Sequence, residues 1–126
     1  MRGHGGRKVT CTVVVPVKRG KLQVKRFVIP YRVYGDAEAI LVFINGVQQS
    51  MAVWHSFVRR FEQRYRIVLF DFPHQGASEI VSGSGTVTLD EQVEILDAVV
   101  KATSGAHRPT ICSASWGGVV ALAYAA

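Results

Sequence analysis

The stretch "ICSASWGGVV", residues 111–120, decides the fold because small polar residues and glycines interrupt it between two apolar runs. Ile111 and Cys112 are typical of the end of a buried strand, and the apolar residues 119–126 favour a helix. Only small residues fit a turn in which a strand and the following helix nearly touch. The sequence therefore predicts a strand, a tight turn with its apex at Ser115, and a helix.

Strands and helices alternate before this turn. "AILVFING" (39–46) and "RIVLFDF" (66–72) are continuous apolar strands, typical of a sheet buried on both faces. A helical pattern occupies residues 51–64, and a Thr88-x-x-Glu91 capping box begins the next helix. The predicted buried stripe of that helix is Leu89, Val93, Leu96 and Val100. The alternation predicts a parallel β-α-β-α-β-α core, in which functional groups collect at the carboxyl ends of the strands.

The N-terminal arm is basic. Residues 1–35 hold nine of the 15 Lys and Arg residues and no Asp or Glu. The β-rich segments 10–17 and 22–34, separated by "KRGK", predict an antiparallel hairpin. The charge favours a solvated edge hairpin that resists aggregation, and it leaves open an acidic protein partner. A nucleic-acid partner is not expected, because the arm carries no recognised binding motif.

Length and composition exclude several protein classes. A chain of 126 residues with 48% hydrophobic residues builds one domain, which we divide into the basic hairpin 1–35 and a sheet core 39–126. No segment approaches the roughly 20 apolar residues of a membrane span. Cys11 and Cys112 stand far apart without a metal-ligand spacing, so we expect a cytoplasmic protein with no disulfide, metal or cofactor.

Three strand ends are predicted to meet at one edge of the sheet: "NGVQ" (45–48), "DFPHQGAS" (71–78) and "SASWGG" (113–118). The last contains the GxSxG nucleophile-elbow pattern with Ser113 in place of the first glycine. In that pattern the central serine is exposed on a strained turn above a helix N-terminus. Ser115 is therefore the predicted nucleophile, and Ser113, two residues before the apex, is the alternative.

An attacked carbonyl develops negative charge, which fixed backbone donors must stabilise. The amide of Trp116, at the start of the helix, is one candidate donor. The loop after the first parallel strand should supply the other, and the amide of Val47 is the candidate there. Asn45 and Gly46 belong to the same loop and are candidate site residues with it.

The remaining polar and aromatic candidates have competing interpretations. Asp71 is expected to tie down its loop by hydrogen bonds rather than to act as an acid or base. His74 and His55 are either proton carriers or ordinary solvated histidines. Trp116 either lines an acyl pocket or packs under the sheet edge. Of these, His74 lies in a loop expected to open on the catalytic edge.

The order of hairpin, "FING", helix, "VLFDFPHQGAS", capped helix and "SASWGG" resembles the N-terminal half of an α/β-hydrolase. Together with "DEQVEIL", these motifs are similar to bacterial hydroxyacyl transferases. That group includes the hydroxyacyl-acyl-carrier-protein transacylases or thioesterases and the synthase of the hydroxyacyloxy-alkanoate rhamnolipid precursor. The resemblance covers residues 39–126. It implies a serine that takes an acyl group from a thioester of acyl carrier protein and passes it to water, a hydroxyl or a thiol.

By the same resemblance, Ser115 matches the nucleophile, and the amides of Trp116 and Val47 match the oxyanion hole. The acid and the histidine of such a triad follow the serine in the chain. Only eleven residues follow Ser115, and none of them titrates near neutral pH. We therefore expect an N-terminal fragment of a serine hydrolase or acyltransferase that is inactive alone. The alternative is a shortened, non-catalytic binding module of hydrolase-like fold.

Overall fold

The computed structural model describes residues 15–126, which form one mixed sheet with helices on both faces. The strands are β1 (Lys18–Val24), β2 (Phe27–Tyr34), β3 (Ile40–Ile44), β4 (Arg66–Phe70), β5 (Glu79–Ile80) and β6 (Thr110–Ser113). The helices are α1 (His55–Phe61), α2 (Leu89–Ser104) and α3 (Trp116–Ala125), and a 3₁₀ helix (Met51–Trp54) leads into α1. The sheet order is β1-β2-β4-β3-β6, and the short β5 pairs with β2.

The predicted parallel core is present. Strand β3 lies between β4 and β6 and runs parallel to both, whereas β2 is antiparallel to β1, β4 and β5. The carboxyl ends of β3, β4 and β6 therefore meet at one edge of the sheet. The loops that begin at Asn45, Asp71 and Ala114 all leave from that edge.

Apolar side chains fill both faces of the sheet, as the continuous apolar strands predict. The larger cluster joins the sheet to α2 and α3 and includes Val42, Ile44, Val68, Phe70, Leu96, Val99 and Val120. The smaller cluster joins it to α1 and comprises Tyr34, Phe43, Met51, Val58, Ile67 and Leu69. The sheet thus separates two cores and holds the three loops at its edge on a rigid base.

The predicted hairpin is present, but its turn was misplaced. "KRGK" lies inside β1, and the turn is at Lys25–Arg26, where Lys25 adopts a φ of 52°. Gly20, which the sequence predicts in the turn, is a strand residue paired with Tyr31, and the ring of Tyr31 covers it. A β-carbon at Gly20 would lie 2.6 Å from that ring. Residues 10–14 of the predicted first strand lie outside the described residues.

Two predicted helices need smaller corrections. The helix predicted over 51–64 is a 3₁₀ turn followed by α1, which ends at Phe61. In α2, Leu96 and Val100 are buried as predicted, but Leu89 and Val93 are only partly buried. Ile95 and Val99 are fully buried instead, since α2 faces the sheet with a stripe rotated from the predicted one.

Candidate active site

Ser115 is the apex of the turn between β6 and α3, as predicted. It is the residue before the helix and adopts φ 53° and ψ −123°. A residue with a side chain is rarely found there, and such strain costs roughly 1 to 3 kcal/mol. The side chain of Ser115 is exposed above the helix N-terminus. Packing of β6 and α3 against β3 holds the strained turn in place.

Gly117 makes this packing possible. A β-carbon there would lie 2.8 Å from Ile44 Cγ2 and 3.1 Å from the carbonyl oxygen of Ile44. The first turn of α3 therefore touches the backbone at the end of β3. This contact places Ser115 beside the loop that follows β3, and a β-carbon at Gly46 would lie 3.4 Å from Ser115 Cβ.

The two backbone amides predicted to form an oxyanion hole flank this junction. Within residues 15–126, neither the Trp116 amide nor the Val47 amide donates to a protein acceptor. The Gly46 amide, in contrast, donates to Gln49 Oε1 at 2.9 Å. The Val47 amide is therefore available as a donor, as is that of Gln48, and Val47 lies on the same edge of the sheet as Ser115.

Asn45 joins the loops after β3 and β4 from beneath. Its side-chain oxygen accepts a hydrogen bond from Trp54 Nε1 at 2.8 Å. Its Nδ2 lies 2.9 Å from the Phe70 carbonyl, 3.2 Å from Asp71 Oδ1 and 3.1 Å from Gln75 Oε1. With 2% of its surface exposed, Asn45 is a buried structural tie, and it also lines the cavity that Val47 and Trp116 border.

Asp71 ties down its loop, as predicted. The buried carboxylate accepts hydrogen bonds from the Met51 amide at 2.8 Å and from the Ala77 amide at 3.4 Å. Gly76 keeps a φ of 46° beside it, where a β-carbon would collide with Asp71 Oδ2. The carboxylate therefore fixes the "DFPHQGAS" loop on the "NGVQ" loop.

A cavity of about 370 Å³ opens beside the elbow. Val47 and Trp116 line it, as does His74, which the sequence placed on the catalytic edge. The imidazole is exposed and its Nε2 lies 2.6 Å from the Gly85 carbonyl oxygen. The indole of Trp116, 42% exposed, donates to Gln92 Oε1 at 3.0 Å and so forms one wall of the cavity.

The other candidate nucleophiles and proton carriers are less well placed. Ser113 is the last residue of β6 and lines a separate apolar cleft with Phe43 and Trp54. Burial raises the pKa of the neighbouring Cys112 thiol, so that its nucleophilic thiolate is disfavoured. His55 begins α1 and does not line the cavity beside the elbow.

The family model described as the alpha/beta hydrolase fold matches residues 39–126, more than two thirds of the chain. The chain belongs to the α/β-hydrolase family. No curated protein sequence matches this chain at a significant level.

Solved structures share the fold of this α/β-hydrolase. An α/β-hydrolase enzyme from a Medee basin deep-sea metagenome is 26% identical, with a TM-score of 0.74 over 84% of this chain and 38% of its own. A candidate lipase from Acinetobacter baumannii is also 26% identical, with a TM-score of 0.75 over 86% of this chain and 36% of its own. An epoxide hydrolase from Vigna radiata is 17% identical, with a TM-score of 0.75 over 85% of this chain and 34% of its own. The chain thus spans little more than a third of the length of these neighbours.

Across residues 15–126, no three His, Cys, Asp or Glu side chains form a group that could hold a metal ion. In the same part of the chain, no helix is both long enough and apolar enough to cross a membrane.

Sequence reasoning overlooked two residues of this site, Gln75 and Gln92. Gln75 is buried between the loops after β3 and β4, and Gln92 supports Trp116 from α2. Gln75 stands in the "DFPHQGAS" loop predicted to reach the catalytic edge, but its partner Gly46 is 29 residues away. A local pattern does not reveal a contact over that distance.

Proposed function

We propose that this α/β-hydrolase uses Ser115 as the nucleophile in acyl transfer from esters or thioesters. The observation that carries the proposal is the strained, exposed position of Ser115, with the "NGVQ" loop packed against it. An exposed hydroxyl at a helix N-terminus, beside backbone amides without protein acceptors, is the arrangement that stabilises a developing oxyanion.

In the proposed reaction, Ser115 Oγ forms a bond to the acyl carbon as its proton passes to a general base. The amides of Trp116 and Val47 donate to the resulting oxyanion. Breaking of the C–S or C–O bond releases a thiol or alcohol, which takes that proton. Water, a hydroxyl or a thiol then attacks the acyl-serine, gives its proton to the base, and Ser115 recovers a proton as the acyl group leaves.

The base of this reaction is proposed to be a histidine supported by an acid, both following Ser115 in the chain order of the family. We place both groups in the part of a hydrolase chain that this sequence does not span. In support, the described histidine nearest the site, His74, is held at the Gly85 carbonyl rather than at Ser115.

The substrate is proposed to be a hydroxyacyl thioester carried by acyl carrier protein in the cytoplasm. The motifs shared with the bacterial hydroxyacyl transferases support this choice, as do the exposed cations Lys18, Arg19 and Lys21 on β1. Similarity to a candidate lipase supports acyl substrates in general. The cytoplasmic location is proposed from the low cysteine content of the chain, whose two cysteines, Cys11 and Cys112, stand far apart in the sequence.

The matched variants Ser115→Ala and Ser113→Ala test the nucleophile. The 126-residue chain and the polypeptide extended along its reading frame are assayed with an activated ester and a hydroxyacyl thioester. We expect Ser115-dependent turnover in the extended polypeptide and none in the 126-residue chain, because a serine without a base is a poor nucleophile. Ser115→Ala should abolish turnover, and Ser113→Ala should preserve it.

Three results would contradict parts of the proposal. Loss of turnover in Ser113→Ala alone would assign the nucleophile to Ser113. Robust turnover of the 126-residue chain that depends on Ser115 would assign the base to an upstream histidine, first of all His74. Absence of turnover in both polypeptides would favour the non-catalytic binding module.

A further inference from the structure

We infer that Gln75 is a positioning residue that sets the direction of the Val47 N–H and thereby one of the two oxyanion donors. Its catalytic consequence rests on the proposed function of Ser115. The positioning itself rests on hydrogen bonds within the described residues and is tested separately.

The geometry of one peptide unit carries the inference. The carbonyl of Gly46 and the amide of Val47 belong to the same peptide bond, and the described residues contain no cis peptide. In a trans peptide the C=O and the N–H point in opposite directions. Gln75 Nε2 donates to the Gly46 oxygen at 2.9 Å from the buried side of the loop. The Val47 N–H therefore points away from Gln75, toward the exposed side of the loop.

Gln75 is itself held in one orientation. Its Oε1 accepts hydrogen bonds from the Phe72 amide at 3.0 Å and from Asn45 Nδ2 at 3.1 Å. Exchanging its amide oxygen and nitrogen would place an NH₂ group against two donors. Since only 9% of the residue is exposed, water cannot readily satisfy that mismatch. The donor of Gln75 is consequently fixed on the Gly46 oxygen.

A second glutamine occupies the amide of Gly46. The side-chain Oε1 of Gln49 accepts a hydrogen bond from the backbone amide of Gly46 at 2.9 Å. The backbone amide of Gln49 donates to the Gly46 carbonyl oxygen at 3.2 Å. These bonds occupy the amide of Gly46, whereas that of Val47 has no protein acceptor within residues 15–126. Gln48 completes the turn with a φ of 61°. The hydrogen bond from Gln75, in contrast, reaches this turn from the loop after β4.

The variant Gln75→Glu removes the Nε2 donor of Gln75 and keeps the shape of the side chain. It keeps an oxygen for Phe72 and Asn45 but replaces the NH₂ group with a carboxylate oxygen facing the Gly46 oxygen. Two facing acceptors repel, so the Gly46–Val47 peptide should rotate. Gln63→Glu is the matched control, because Gln63 is exposed and has no side-chain hydrogen bond within residues 15–126.

The measurement is the residual dipolar coupling of the Val47 N–H in the ¹⁵N-labelled chain, which reports the direction of that bond. We expect Gln75→Glu to shift the Val47 coupling beyond the scatter of the couplings in β3, β4 and α2. Acidification should restore it, because the introduced carboxyl group, once protonated, donates to the Gly46 oxygen again. The unmodified chain and Gln63→Glu should keep the Val47 coupling at both pH values.

A wild-type measurement covers the case in which Gln75→Glu does not fold. The unmodified chain should show a scalar coupling across the hydrogen bond between Gln75 Nε2 and the Gly46 carbonyl carbon. Absence of that coupling, or an unchanged Val47 coupling in folded Gln75→Glu, would overturn the inference. Neither result depends on turnover. Failure of the positioning is therefore distinguishable from failure of Ser115 as the nucleophile.

Discussion

Gly117 lies where the first turn of α3 meets the end of β3, and its lack of a side chain permits the elbow. The atoms around it are an apolar methyl group and two backbone oxygens, which cannot move without displacing β3. Gly118 follows in the same helix, but a β-carbon there would meet only Ser113 Oγ, at 3.7 Å. The two glycines are adjacent in the first turn of α3, but only Gly117 is packed tightly against β3.

The pair Gly117→Ala and Gly118→Ala tests this difference. We expect Gly117→Ala to lower the free energy of unfolding by about 1 to 3 kcal/mol, the usual cost of overpacking. Gly118→Ala should be neutral or stabilising by up to about 1 kcal/mol, because alanine favours the helix. Urea unfolding followed by circular dichroism measures both. Equal effects would contradict the close approach at Gly117.

At the scale of elements, Arg26 ties the β1–β2 turn to α2 and to the loop before it. Its guanidinium donates to the Thr86 carbonyl at 2.8 Å and to Glu91 Oε2 at 2.9 Å, and it also contacts the Ser84 carbonyl. Glu91 is at once the third residue of α2 and part of the capping box with Thr88. One carboxylate therefore links a helix start to a strand turn.

The capping box gives a prediction for Thr88→Ala. The hydroxyl accepts from the Glu91 amide at 3.1 Å, so its loss leaves that amide without its cap. We expect a loss of about 1 kcal/mol in the free energy of unfolding. Thr103→Ala is the matched control, because its hydroxyl only donates to the Val99 carbonyl within the helix. A loss in Thr103→Ala as large as that in Thr88→Ala would argue against capping as the cause.

Glu91 also predicts a pH dependence of stability. The hydrogen bond from Arg26 and then that from the Thr88 amide lower the pKa of Glu91 from 4.5 to about 2. In the unfolded chain the carboxyl takes up its proton at the higher value. Its contribution to stability is therefore present above about pH 4.5 and is lost as the pH falls toward about 2.

Unfolding of the wild type and Glu91→Gln, compared across this pH range, measures that contribution. The stability difference between the two should shrink as the pH falls. Glu38→Gln is the control, because Glu38 is exposed and forms no ion pair within residues 15–126. A pH-independent difference for Glu91→Gln would show that the ion pair is not its source.

At the scale of the whole molecule, the cations of the described chain lie on more than one surface. Lys18, Arg19 and Lys21 are exposed on the edge strand β1, and Arg59, Arg60 and Arg64 are exposed on or just after α1. Both sets carry three positive charges. Reversing either set changes the net charge by the same amount, so a difference between the two variants reports a local docking surface rather than net charge.

Charge reversal of each set to glutamate tests the proposed acidic partner. We expect reversal at Lys18, Arg19 and Lys21 to weaken binding of acyl carrier protein about tenfold or more in low salt, since each exposed ion pair contributes up to about 1 kcal/mol. The effect should fade in high salt. Reversal at Arg59, Arg60 and Arg64 should weaken binding much less. Equal losses would indicate net charge alone, and unchanged affinity would indicate a solubilising edge.

The features that the sequence by itself determined depend on interactions between residues close together in the chain. Runs of apolar residues specified β3 and β4, the Thr88-x-x-Glu91 box specified the start of α2, and the spacing of small residues around Ser115 specified the elbow. In each case the deciding interactions lie within a few residues along the chain. A pattern of that length is sufficient to show them.

Tertiary structure decided the features that depend on distant neighbours. Gly20 belongs to a strand because β1 pairs with β2 at Tyr31, and the buried stripe of α2 follows the surface of the sheet it meets. Gln75 holds the Gly46 carbonyl from 29 residues away. These contacts form only when separate strand ends are brought to one edge of the sheet. The sequence predicted which loops meet there, and packing decided which side chains join them.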